Sequence, residues 1–280
     1  MRNIDVTICG DLLKSVGAKL LEMERSGELA LDEEALLRRF AEANGWAKET
    51  IRAGLAQTYP DIRWSEAEFD LKKQRRPEFV DDFWICDAID GAAQFLQAIP
   101  SWCPTLCLIH KGRPIFSMIY HAHQQELFYA IAGEGAYLNG QRINVSGKQA
   151  IAAAFIGTTH LVIANMTSHI TDSSPGEDVK NVERTCQTMA SLIPQVFAVR
   201  MLGATSLQLA YVACGRLDGY WEFGDDLYDW LAGALLVQEA GGVVTSGANK
   251  ELTWGTEGII AANAPVHQAL QACMALDNLS

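Results

Sequence analysis

The sequence predicts an α/β protein in two halves, an α+β first half over residues 1–148 and a layered α/β second half over residues 149–280. Three observations carry that reading. Apolar residues recur at helical spacing before Thr58, short strand-like runs with tight turns follow up to Val145, and strand-like and helix-like runs alternate from Ala152 onward.

Taking the elements in order, Leu12, Leu13, Val16, Leu20 and Leu21 share one helical face between Gly10 and Glu24, which predicts an amphipathic helix ending near Gly27. A second helix is expected from about Asp32 towards Thr58, closed by Pro60, because the residue before a proline is steered away from the helical region. Phe79 to Asp87 reads as a strand that ends in carboxylates. Thr105 to His110, Pro114 to His121 and Glu126 to Ile131 read as further strands of an antiparallel meander. Asn139-Gly140 lies between Ala136-Tyr137-Leu138 and Ile143-Asn144-Val145, and both residues accept positive φ, so a hairpin turn is expected there. In the second half, Ala152 to Thr159, Val196 to Leu202 and Leu217 to Phe223 read as strands. Val179 to Leu192, Thr205 to Cys214 and Trp230 to Ala240 read as helices, and Val243-Val244-Thr245 and Ile259-Ile260-Ala261 as short strands. Thr171 to Asp178, with Pro175-Gly176, reads as a surface loop, and no stretch has the composition of an interdomain linker.

Composition narrows the function class. In 280 residues, 22 Lys and Arg face 34 Asp and Glu, a net charge of −12. So acidic a chain is a poor general nucleic-acid binder, since phosphate neutralisation needs a basic face. No apolar run is long enough to cross a bilayer, and Met1 to Asp5 lacks the pattern of a secretory signal, so no membrane partner is expected and a cytoplasmic location is. The seven cysteines are scattered and read as buried free thiols in a reducing cytosol. Neither a Walker loop, a GxGxxG after a strand nor a Gly-x-Ser-x-Gly elbow is present. His121 and His123 share a strand face but lack a nearby third ligand, so they are expected at a surface or hairpin.

The most informative stretch is Asp87-Ala88-Ile89-Asp90-Gly91-Ala92-Ala93-Gln94-Phe95. An apolar strand delivers Asp87, Asp90 follows within one turn, and Gly91 allows a tight bend that turns main-chain N–H groups towards an anion. Carboxylates so close repel unless a cation lies between them, and oxygen-only ligands favour Mg²⁺, Mn²⁺ or Ca²⁺ over zinc. The same residues also suit a capped turn at a strand end. A second acidic segment, Glu222-Phe223-Gly224-Asp225-Asp226-Leu227-Tyr228-Asp229, places Asp229 at a helix start, as N-cap or as a further ligand, with Asp225 and Asp226 as solvated loop charges. Trp64-Ser65-Glu66-Ala67-Glu68 is a third acidic candidate.

These segments, in this order, resemble the inositol monophosphatase family, the lithium-sensitive, magnesium-dependent phosphatases of sugars and polyols. The match to Asp-x-Ile-Asp-Gly-Thr-x-x-Phe lies at Asp87 to Phe95, and the match to Trp-Asp-x-Ala-Ala/Gly-Gly at Tyr228 to Gly233. Supporting matches lie at Gly133 to Gly140, Asn144 to Ser146, Arg200 to Gly203 and Glu239 to Gly242. The resemblance implies a layered αβαβα sandwich, the sugar-phosphatase fold, and a homodimer with Trp102 near its contact. It implies that Asp87, Asp90, Asp229, the Ile89 carbonyl and Glu66 bind Mg²⁺, with Glu68 as rival to Glu66. By the same resemblance Asp90, Gly91, Ala92, Ala93, Gly203, Thr205, Glu222 and Asp229 contact a small phosphorylated substrate, inositol monophosphate foremost. Histidinol phosphate, fructose 1,6-bisphosphate and 3′-phosphoadenosine phosphate are the substrates of relatives. Two departures stand out: Ala92 occupies the position of the family's threonine, and the upstream Thr-x-x-Asp segment that supports its relay is not recognisable, Asn44 or a neighbour occupying that region. They favour a second reading, a member that binds metal and phospho-ligand without efficient turnover.

Overall fold

A computed structural model describes residues 4–26, 32–66, 82–159, 175–253 and 256–276. Helix α1 spans Val6–Ser26 and α2 spans Glu33–Thr58, the latter N-capped by Asp32, whose carboxylate accepts from Ala35 N at 2.8 Å. Strands β1 (Arg63–Trp64), β2 (Phe83–Ile85), β3 (Thr105–His110), β4 (Arg113–His121), β5 (Glu126–Ile131), β6 (Gly135–Leu138) and β7 (Gln141–Ile143) form one sheet in chain order, with the short helix α3 (Ala92–Leu96) between β2 and β3. Only β1 and β2 run parallel in it; the other neighbours are antiparallel. Asn139 (φ 49°) and Gly140 (φ 80°) make the β6–β7 turn.

A 3₁₀ turn (Ile151–Ala153) leads into the second sheet of β8 (Phe155–Thr158), β9 (Ala198–Arg200), β10 (Gly219–Glu222), β11 (Val243–Ser246) and β12 (Ile259–Ala262), in the order β11-β12-β10-β8-β9. Its helices are α4 (Pro175–Leu192), α5 (Thr205–Ala213), α6 (Leu227–Glu239) and α7 (Ala264–Leu276). Helices α5 and α6 lie between the sheets, touching β4 on one side and β12 on the other, while α1 and α2 cover the first sheet and α4 and α7 the second. The result is an αβαβα sandwich.

Helices α5 and α6 are apolar nearly all round, as a middle layer must be. They approach so closely that a Cβ on Gly233 would lie 2.4 Å from Leu209 Cβ. That contact fixes the middles of both helices relative to each other. One buried cluster runs from Phe83 and Ile85 through Leu209 and Trp230 to Ile259, so the two sheets share a core.

Three expectations change. Pro175 and Gly176 begin α4 rather than sit in a loop, because proline suits the first helical position; Thr171 to Ser174 lie outside the described residues. The stretch expected as one strand from Ala152 divides into the 3₁₀ turn and β8. Helix α7 was not foreseen, although Val266, Leu270, Cys273 and Met274 mark its buried face.

Candidate metal centre

The first acidic turn is built by main-chain hydrogen bonds. Asp87 O accepts from Thr105 N at 2.8 Å, and Asp87 Oδ1 accepts from Ile89 N at 2.9 Å, closing an Asx turn. Asp90 and Cys103 exchange both N–H···O bonds at 3.0 Å. Gly91 then turns the chain at φ 91°, where a Cβ would meet Ser101 O at 2.9 Å, so both conformation and space require glycine. Ala92 and Ala93 open α3, and their N–H groups have no acceptor within the helix.

Asp229 comes from the first turn of α6. Its N-cap is Asp226, whose Oδ1 accepts from Tyr228 N at 3.0 Å, which corrects both the expectation that Asp229 caps the helix and that Asp226 is a solvated loop charge. The helix starts earlier because Leu227 and Tyr228 are buried. With capping done elsewhere, the Asp229 carboxylate is left to the cleft.

Ligand atoms of Asp87, Asp90 and Asp229 all lie within 4.8 Å of one another. The N-terminus of α5 faces them: Thr205 N donates to Asp90 Oδ1 at 3.2 Å and Ser206 N to Asp90 Oδ2 at 2.6 Å, while Ser206 Oγ donates to the Asp229 carbonyl at 2.7 Å. Burial still pushes Asp90 up to about 6 against those hydrogen bonds. Asp229 is raised by burial and then by the charges of Asp226, Asp90, Asp87 and Glu222. Two buried carboxylates and a half-buried third whose ionisation they oppose, offering oxygen only, fit a hard divalent cation.

Beside them Glu222 is buried, and its Oε2 accepts from Tyr220 OH at 2.7 Å, Trp230 Nε1 at 3.0 Å and Thr205 Oγ1 at 3.2 Å. Burial raises its carboxyl to about 7 despite these donors. Gly203, at φ 97°, packs against Gln94 of α3 just before the α5 N-terminus.

Of the residues singled out in the sequence, the structure thus brings together Asp87, Asp90 and Asp229, with Ile89, Thr205 and Glu222 hydrogen-bonded around them and Gly91 against Ala204. Glu66 stands outside this cluster: its side chain is 63% exposed, with oxygens 3.8 Å from Lys48 Nζ and 3.6 Å from Arg52 Nη1. Glu68 lies outside the described residues. Trp102 is fully buried, its Nε1 donating to Glu24 Oε1 at 2.7 Å, so it presents no surface to a second subunit. His121 is not a surface residue: it is buried, its Nδ1 3.3 Å from Tyr211 OH and its Nε2 3.2 Å from Pro100 O. His123 pairs with Glu24 at 3.0 Å.

Sequence reasoning missed Ser206, Tyr220, Trp230 and the hydrogen bond between Ser65 Oγ and Tyr228 OH, which ties the segment before Glu66 to the one before Asp229. Only the position of Ser65 and Tyr228, each directly before a candidate acid, hinted at that pair.

The model of the inositol monophosphatase family matches residues 6–278. A Nus factor SuhB of Pseudomonas aeruginosa is 34% identical over 252 residues, covering 89% of this chain and 87% of that protein. Inositol monophosphatase 2 of Solanum lycopersicum is 33% identical over 218 residues, 77% of each chain. The structure of an inositol monophosphatase from Anabaena (Nostoc) sp. PCC 7120 superimposes with a TM-score of 0.75 at 25% identity, covering 97% of this chain and 95% of that one. The fold, the order of the acidic segments and these likenesses agree, and the chain belongs to the inositol monophosphatase family.

Proposed function

We propose that this protein hydrolyses a small phosphate monoester, foremost inositol monophosphate, with Mg²⁺ held by Asp87, Asp90 and Asp229. Family membership supports a phosphatase, and the observation that carries the finer reading is the convergence of Asp229 with Asp87 and Asp90, two segments remote in sequence. A bound divalent cation would screen the phosphate oxygens, lower the pKa of a bound water and stabilise the leaving alkoxide. The residues of the chain do the rest. The Ile89 carbonyl completes the oxygen set, the N–H groups of Gly91, Ala92 and Ala93 cradle phosphate, and Gly203, Thr205 and Glu222 line the alcohol side. Glu66 is a further carboxylate of the site, recruited from Lys48 and Arg52 when the cation is bound. Glu66→Gln tests this: weaker Mn²⁺ binding supports the assignment, and unchanged binding removes Glu66 from the ligand set.

Ala92 has no hydroxyl to take a proton from the attacking water, and the buried Asn44 Oδ1 has no partner among the described residues. A lost general base costs about 10²–10⁴-fold, which leaves a slow enzyme rather than an inert one. The same departures, with a relative whose name is Nus factor SuhB, favour a second reading: a regulatory protein that binds metal and phospho-ligand without efficient turnover. We further propose a homodimer in the cytoplasm, where the seven free cysteines suit a reducing environment; among the described residues no helix is long and apolar enough to cross a membrane.

Phosphate release across a panel of esters, with Mg²⁺ and then with Li⁺ added, decides between the readings. Mg²⁺-dependent, Li⁺-inhibited release from inositol monophosphate supports the enzyme. Intact metal binding with no release from any ester supports the binding protein.

A further inference from the structure

We propose that Trp230, together with Tyr220 and Thr205, is a positioning residue that fixes the Glu222 carboxylate and thereby sets the preference of the pocket for esters whose alcohol carries hydroxyl groups. The proposal rests on the reading of a polyol phosphate as substrate and names what in this chain enforces it. Strand alternation puts Tyr220 and Glu222 on one face of β10. Trp230 reaches that face from the first turn of α6, and Thr205 from the N-terminus of α5. Donors from three elements therefore converge on a single oxygen, Oε2, at 2.7, 3.0 and 3.2 Å.

A carboxylate offers about four lone-pair sites over its two oxygens, so three donors saturate one oxygen and hold the plane of the group. Among the described residues no hydrogen bond reaches Oε1, which leaves it as the oxygen able to accept from a ligand. The charge of Glu222 acts on Asp229 and that of Asp90 on Glu222, so this acceptor flanks the three-aspartate cluster. Thr205 links the two directly, since its N–H holds Asp90 and its hydroxyl holds Glu222. A rigid, desolvated acceptor beside the reacting phosphate rewards a substrate hydroxyl and penalises an ester that cannot donate, because the buried acid is then left unpaired on that side. Trp230→Phe deletes the indole N–H along with part of its buried ring, and Tyr220→Phe deletes the hydroxyl donor with its ring kept whole.

The test compares wild type and Trp230→Phe on inositol 1-phosphate and on p-nitrophenyl phosphate, whose leaving group has no hydroxyl. We expect KM for inositol 1-phosphate to rise about tenfold, with a change in kcat/KM on that ester at least about fivefold larger than on p-nitrophenyl phosphate. Tyr220→Phe repeats the test should Trp230→Phe not fold. In a Glu222→Gln background, Trp230→Phe should add nothing to the discrimination. Equal losses on both esters, or a full effect in the Glu222→Gln background, overturn the proposal. If wild type turns over neither ester, the hydrolase reading fails. Calorimetric binding of inositol 1-phosphate in Ca²⁺ then decides this proposal separately: weaker binding by Trp230→Phe supports it, and equal binding overturns it.

Discussion

Replacing Asp229 by Asn should stabilise the metal-free protein while abolishing its response to Mg²⁺. Carboxylate oxygens at the 4.8 Å limit of the cluster repel by about 3 kcal/mol per pair at an effective dielectric of about 20. The rise of Asp90 from 3.8 to about 6, caused by burial, is a separate effect worth about 3 kcal/mol. The folded state holds that proton more tightly than the unfolded chain does. The stability it lends is therefore full below pH 3.8 and is lost as the pH rises through about 6. At pH 7.5 in EDTA, Asn at position 229 removes its repulsion with Asp87 and Asp90 and can donate to either. Allowing for lost solvation and imperfect fit, a net gain of about 2 kcal/mol corresponds to a rise in Tm of roughly 5 °C. Saturating Mg²⁺ at about 100 times its Kd should add about 3 kcal/mol to the wild type and almost nothing to the variant. Differential scanning calorimetry at pH 4.5 and 7.5, with and without Mg²⁺, reads all of this. The gain from Asp229→Asn should shrink at the lower pH. A variant less stable than wild type in EDTA at pH 7.5, and equally stabilised by Mg²⁺, would refute the reasoning.

Restoring a hydroxyl with Ala92→Thr should raise kcat about tenfold or more, further when combined with Asn44→Asp; an unchanged rate in steady-state assays counts against a missing proton relay. Tyr228→Phe removes the hydroxyl that meets Ser65, and Mn²⁺ affinity measured by calorimetry should fall about threefold to tenfold, with no further fall on adding Ser65→Ala. Additive losses there would mean that the two side chains act independently.

Local signals in the sequence reached the fold where one residue type answers one conformational demand. Asn139-Gly140 marks a turn with two positive φ angles, and Asp87-x-x-Asp90-Gly91 marks a bend that only glycine can make. The αβαβα layering and the candidate acids were legible through the order of whole segments rather than through any one of them. What stayed hidden depends on registers between distant elements. Trp230 reads as one more apolar residue of a buried helix, and its hydrogen bond to Glu222 exists only because α6 packs across the end of β10. Glu66 faces Lys48 and Arg52 because α2 passes beside β1, which no local pattern announces. His121 sits at the end of a strand, where solvent is the simplest expectation, but the Pro100 carbonyl and Tyr211 of α5 cover it. Asp226 takes the N-cap from Asp229 because burial of Leu227 and Tyr228 starts the helix one turn sooner than its apolar run suggests.

A crystal soaked in Mn²⁺ and measured at the manganese absorption edge puts the shared cation site to direct trial. We expect an anomalous peak about 2–2.3 Å from carboxylate oxygens of Asp87, Asp90 and Asp229 together. Density confined elsewhere, or the three side chains turned apart around an empty cleft at saturating Mn²⁺, would contradict it.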